Sequence, residues 1–127
     1  MKETYYELID ERVFEHELAN GLRLFVIPKK GFQKTFVTYT THFGSLDNTF
    51  KPHNQDAFVT VPDGVAHFLE HKLFEKDDTE DLFTAFASDN AQVNAFTSFD
   101  RTSYLFSATD NVESNILRLL EMVETPF

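Results

Sequence analysis

The chain contains no cysteine and no tryptophan among its 127 residues. The first absence excludes disulfides, thiolate metal ligands and a cysteine nucleophile, so any metal here must be held by His, Asp or Glu. Basic residues are also scarce: 11 Lys and Arg stand against 21 Asp and Glu, for a formal charge of −10. The resulting field repels phosphate backbones, which argues against nucleic-acid binding. Apolar runs are broken by charges well short of the roughly 20 residues that span a bilayer, so no membrane segment is expected. Met1 to Asp10 lacks the basic-then-apolar pattern of a secretory signal, and the chain reads as soluble and cytoplasmic. Repeats and low-complexity stretches are missing as well. What is abundant is phenylalanine, with 15 residues, which suits packing between layers and pockets lined by flat apolar rings.

The length fits one domain or a piece of one. Arg12 to Leu18 and Leu22 to Pro28 alternate apolar and polar residues around Asn20-Gly21, a hairpin signal. After a polar turn at Lys29, Lys30 and Gly31, the β-branched and aromatic stretch Phe32 to Phe43 predicts a third strand. Gly44 to Pro62 has little periodicity and predicts a long loop. Asp63 is a candidate cap for a helix over Gly64 to Phe74, where Val65, Phe68, Leu69, Leu73 and Phe74 recur at helical spacing. An acidic turn, Glu75 to Asp81, leads into a second helix over Thr79 to Ser88. Ala91 to Phe99 and Thr102 to Thr109 predict a second hairpin about Asp100-Arg101. Asn111 is a candidate cap for a last helix with Ile116, Leu117, Leu120 and Val123 on one face, before the abrupt Thr125-Pro126-Phe127. The order implies an α+β fold: a mostly antiparallel sheet packed with helices.

One cluster carries chemistry: His67-Phe68-Leu69-Glu70-His71, a His-x-x-Glu-His sequence within the first helix. At 3.6 residues per turn, His67 and His71 stack on one face with Glu70 beside them. Neutral imidazoles suit Zn²⁺, and Glu70 is placed to act as general base on a zinc-acidified water, with Phe68, Leu69 and Leu73 drying the surroundings. His16, His42 and His53 have no partner pattern and read as surface or packing residues. Catalytic zinc usually takes three protein ligands. Glu75, Asp77, Asp78, Glu121 and Glu124 are available carboxylates, but spacing selects none of them.

The stretch Asp63 to Phe74 resembles the motif region of the pitrilysin/insulinase family of zinc peptidases. A second element, Val93-Asn94-Ala95-Phe96-Thr97-Ser98 with Arg101-Thr102-Ser103-Tyr104, is similar to that family's Asn-Ala-x-Thr edge strand and its hairpin partner. Asn20-Gly21-Leu22-Arg23 resembles the family's opening hairpin, and the shorter bacterial, processing-peptidase-like members are the most similar. The resemblance implies a zinc-dependent endopeptidase, with His67 and His71 as zinc ligands and Glu70 as base. It also implies that Asn94, Ala95, Phe96 and Thr97 receive a peptide or small protein as an added strand, with Phe74, Ala95 and Phe96 lining a side-chain pocket. The family's third ligand, a glutamate, lies roughly 75 residues beyond the second histidine. The last residue here lies 56 beyond His71. Residues 1–127 are therefore expected to be the truncated N-terminal portion of the catalytic domain, inactive alone. They would be the first part of one of two similar halves, the C-terminal half following in the same chain, with a homologous partner subunit or a homodimer as the further expected partners. Departures occur after the motif, where Lys72, Leu73, Phe74, Glu75 and Lys76 replace the usual Met-x-Phe-x-Gly-Thr, and in the longer loop Leu46 to Pro62. The alternative is a non-catalytic peptidase-like subunit or a peptide-binding module.

Overall fold

The computed structural model describes residues 1–77 and 80–125 and separates into two compact units, Met1–Phe32 and the chain from Gln33 onward. The first unit is a three-stranded antiparallel sheet of β1 (Lys2–Tyr6), β2 (Glu11–Glu17) and β3 (Arg23–Val26). Leu18 and Leu22 close the expected β2–β3 hairpin around Asn20-Gly21, through Leu18 N–H to the Leu22 carbonyl at 2.8 Å. β1 was not expected. Its register with β2 pairs Glu3 with Phe14 and Tyr5 with Arg12, and the Arg12 guanidinium donates to Glu3 at 2.6 Å.

The second unit holds β4 (Thr35–Thr41), β5 (Thr49–Phe50), β6 (Val59–Thr60), α1 (Val65–Phe74), β7 (Glu75–Asp77), β8 (Glu80–Asp81), α2 (Leu82–Ser88), β9 (Ala91–Thr97), β10 (Thr102–Ala108) and α3 (Val112–Glu124). Its main sheet runs β4-β10-β9, all antiparallel, so the molecule is α+β. Helices cover one face. Strand alternation sends Thr102, Tyr104, Phe106 and Ala108 of β10 toward them, and all four are buried. The core adds Leu73 and Phe74 from α1, Leu82 and Phe86 from α2, and Leu119 and Met122 from α3.

Several expectations need correction. The region from Gly44 to Pro62 contains a small ribbon, β5 paired with β6, in addition to loop. Its start is docked on the β9–β10 turn, with Ser45 N–H donating to the Ser98 carbonyl at 2.9 Å and Leu46 N–H to the Phe99 carbonyl at 3.0 Å. Gly44 makes this possible, because a Cβ there would lie 2.5 Å from backbone atoms of Phe99 and Arg101.

Asp63 does not cap α1. The N-cap is Gly64, in the left-handed region at φ 87°, which turns Asp63 away to accept from Asn48 Nδ2 at 3.1 Å. Asn111 occupies the N-cap of α3 with φ 52°, but no side-chain cap bond forms; its carbonyl instead accepts from Asn115 N–H at 3.1 Å and Asn115 Nδ2 at 3.0 Å. The second helix begins at Leu82, capped by the Asp81 carboxylate, which accepts from Phe83 N–H at 3.0 Å. The expected start at Thr79 lies outside the described residues, as do Asp78, Pro126 and Phe127.

The buried stripe of α3 is Asn115, Leu119 and Met122, with Ile116, Leu120 and Val123 beside it. Leu117 is exposed, since it sits about 200° around the helix from Asn115. Phe68 is exposed too, so Leu69 and Leu73 are left to dry the motif helix.

Candidate active site

Helix α1 presents His67 and His71 one turn apart, as their spacing requires. Their Nε2 atoms lie 3.0 Å from each other, with ring centroids 4.8 Å apart and planes at 46°. Both side chains are exposed. Two imidazole nitrogens this close, each needing to be about 2.0–2.1 Å from a shared Zn²⁺, fit as a ligand pair. Among the described residues no third His, Asp or Glu joins them.

Glu70 points from the same helix to the sheet. Its Oε2 accepts a hydrogen bond from Thr97 Oγ1 at 2.6 Å, in a partly buried setting, so the motif helix and the Asn-Ala-x-Thr strand meet at the carboxylate. Tyr104 lies near it in the core, and burial together with the negative charge of Glu70 pushes its hydroxyl pKa up to about 12. That hydroxyl stays protonated at neutral pH. Further along, Lys72 donates to Glu75 at 2.6 Å and holds that carboxyl below its ordinary range.

β9 is an edge strand of the main sheet. Ser98 N–H donates to the Arg101 carbonyl at 2.8 Å, so by antiparallel alternation Gln92, Asn94 and Phe96 exchange bonds with β10. Val93, Ala95 and Thr97 then turn their N–H and C=O groups to the free edge. One of these donors is occupied: Ala95 N–H bonds Asn94 Oδ1 at 2.8 Å.

The remaining expected site residues divide between two faces. Phe74 is buried, stacked on Phe83 at 4.6 Å and tilted against Tyr104 at 6.5 Å. Ala95 and Thr97 share its helix-covered side and are half-buried, whereas Asn94 and Phe96 are exposed on the other. The structure thus brings Glu70 and Thr97 together and separates Phe96 from Phe74 and Ala95. His16, His42 and His53 are exposed and belong to no ligand cluster among the described residues. Sequence reasoning missed the link between Glu70 and Thr97 and the approach of Tyr104, because the only signal for either is the pairing of β9 with β10 beneath α1.

Residues 61–126 match the family Insulinase (Peptidase family M16), a span that holds the motif helix, β9, β10 and α3. The chain belongs to this family. Among similar proteins is one from Bacillus subtilis (strain 168) named as a zinc protease, YmfH, 50% identical over 127 residues, which are 100% of this chain and 29% of that protein. The mouse (Mus musculus) insulin-degrading enzyme is 32% identical over 115 residues, 87% of this chain and 10% of that enzyme. A crystal structure bearing the name M16-like peptidase, from Alicyclobacillus acidocaldarius, superposes with a TM-score of 0.82 at 37% identity, covering 92% of this chain and 27% of that one. The chain therefore spans under a third of the length of these relatives.

Proposed function

We propose that the full-length protein is a zinc-dependent endopeptidase of the inverted His-x-x-Glu-His type, and that residues 1–127 are the N-terminal portion of its catalytic domain. The observation that carries this reading is the pairing of His67 and His71 on α1, Nε2 atoms 3.0 Å apart, on the same helix from which Glu70 reaches the edge strand at Thr97. The names of the Bacillus and mouse relatives support it.

His67 and His71 would hold the zinc, with a third ligand from beyond the described residues. When bound, the zinc would supply Lewis acidity toward a carbonyl and a water. Glu70 Oε1 takes a proton from the water as the water oxygen bonds to the scissile carbonyl carbon, and hands that proton to the amide nitrogen as the C–N bond breaks. A peptide or small-protein substrate lies along β9 as an added strand, using main-chain groups of Val93, Ala95 and Thr97 at the free edge. Phe74, Ala95 and Phe96 remain the proposed side-chain contacts, with Phe96 acting from the exposed face. The rest of the protein, or a homologous or identical partner subunit, closes over this surface. The absence of cysteine accords with a cytoplasmic location.

The test is Glu70→Gln in the full-length protein. Zinc content should stay at the wild-type level while kcat for an extended peptide falls by about a hundredfold or more. Undiminished turnover in that variant would remove Glu70 as base. A wild-type protein that binds extended peptides but never cuts them would favour a binding module instead.

A further inference from the structure

We propose that Thr97 is a positioning residue, whose hydroxyl holds the Glu70 carboxylate in place from the same strand that receives the substrate. The proposal rests on the peptidase reading above and adds a component to it. Glu70 sits on α1 and Thr97 on β9, 27 positions apart, yet Thr97 Oγ1 donates to Glu70 Oε2 at 2.6 Å. A glutamate on an exposed helix face has three rotatable bonds and visits many rotamers. This bond ties one carboxylate oxygen down and leaves Oε1 to accept a proton.

The anchor itself is stiff. Thr97 is β-branched, with few χ1 choices, and stands on a strand held along its length by β10. Short hydrogen bonds to a charged acceptor are among the stronger ones, and this one is partly shielded from water. Tyr104, also near Glu70, is buried and keeps its proton, so it brings no second negative charge to the carboxylate.

Thr97 also belongs to the set whose main-chain N–H and C=O face the free edge of β9. An added strand that pairs there is therefore registered by the same residue whose side chain fixes the base. Base position and substrate register are coupled within one residue.

The experiment compares Thr97→Val, which keeps the β-branched shape and loses the donor, with Thr97→Ser, which keeps the donor. Both are made in the full-length protein, with zinc per chain, kcat and KM measured on an extended fluorogenic peptide. Thr97→Val should lower kcat about tenfold or more with KM and zinc content unchanged, and Thr97→Ser should recover to within about threefold of wild type. A merely structural clip would not give that split or that recovery. Unchanged kcat in Thr97→Val, a loss confined to KM, or failure of Thr97→Ser to recover overturns the proposal.

A thermal double-mutant cycle with Glu70→Ala reads the bond without activity. The melting shift caused by Thr97→Val should shrink when residue 70 is Ala, and additive shifts overturn the proposal. If the wild-type protein cleaves nothing, the peptidase reading fails. The cycle then still decides whether Thr97 holds Glu70.

Discussion

At the scale of single residues, the site depends on who touches Glu70. Its approach to Tyr104 has a consequence that can be measured in alkali. The Tyr104 hydroxyl keeps its proton up to about pH 12 in the folded protein, against an ordinary value of 10.0. Above pH 10 the unfolded chain ionises first, so the contribution of Tyr104 to stability is full below that pH and is lost as pH rises toward 12. Melting curves at about pH 9 and about pH 11 should therefore show a smaller alkaline loss for Tyr104→Phe than for wild type. An identical loss in both would mean that Tyr104 titrates normally. The sequence places Tyr104 on the second hairpin but not beside Glu70. Tyr104 is 34 positions from Glu70, and although its neighbours mark it as part of the hairpin partner of the Asn94 to Thr97 strand, its approach to the carboxylate depends on how α1 lies over that hairpin.

At the scale of elements, the local patterns were readable and their ends were not. The alternation of β9 and β10 and the helical spacing of α1 follow from short-range periodicity, and the elements lie where that periodicity puts them. Caps failed because they depend on one backbone angle: with Gly64 left-handed, Asp63 cannot reach the first free N–H groups of α1. Likewise the region before α1 reads as loop because the docking bonds from Ser45 and Leu46 are main-chain bonds that leave no side-chain pattern.

Gly44 is where that docking can be broken. A Cβ at residue 44 would sit 2.5 Å from the backbone of the β9–β10 turn, which cannot move like a side chain. Gly44→Ala should destabilise the protein by about 1–3 kcal/mol, seen as a lower urea midpoint or melting temperature. Wild-type stability in that variant would mean that the segment lifts off the turn freely.

At the scale of the whole molecule, the described residues hold the proposed ligand pair, His67 and His71, and the proposed base, Glu70, with no group of three metal-holding side chains among them, and no described helix is long and apolar enough to cross a membrane. On the proposed reading, zinc retention is a property of the full-length protein. Elemental analysis after a chelator wash should find about one zinc per chain, and His67→Ala or His71→Ala should abolish it, because neither loss leaves three ligands. Chelator stripping should also lower the melting temperature, with zinc restoring it. Retention of zinc in both histidine variants would place the metal elsewhere.

The sequence by itself determined that two imidazoles share a helix face, that a carboxylate stands beside them, and that a strand hairpin follows, since helical and strand periods act within a few residues. Only the tertiary structure decided that β4 pairs with β10 across more than sixty positions, with Thr40 and Ser103 hydroxyls 2.7 Å apart. It also decided that α1 lies over β9 so that Glu70 meets Thr97. Those contacts depend on how Leu73, Phe74, Phe86 and Phe106 pack, and close packing between layers is a collective property that no short stretch of the chain encodes.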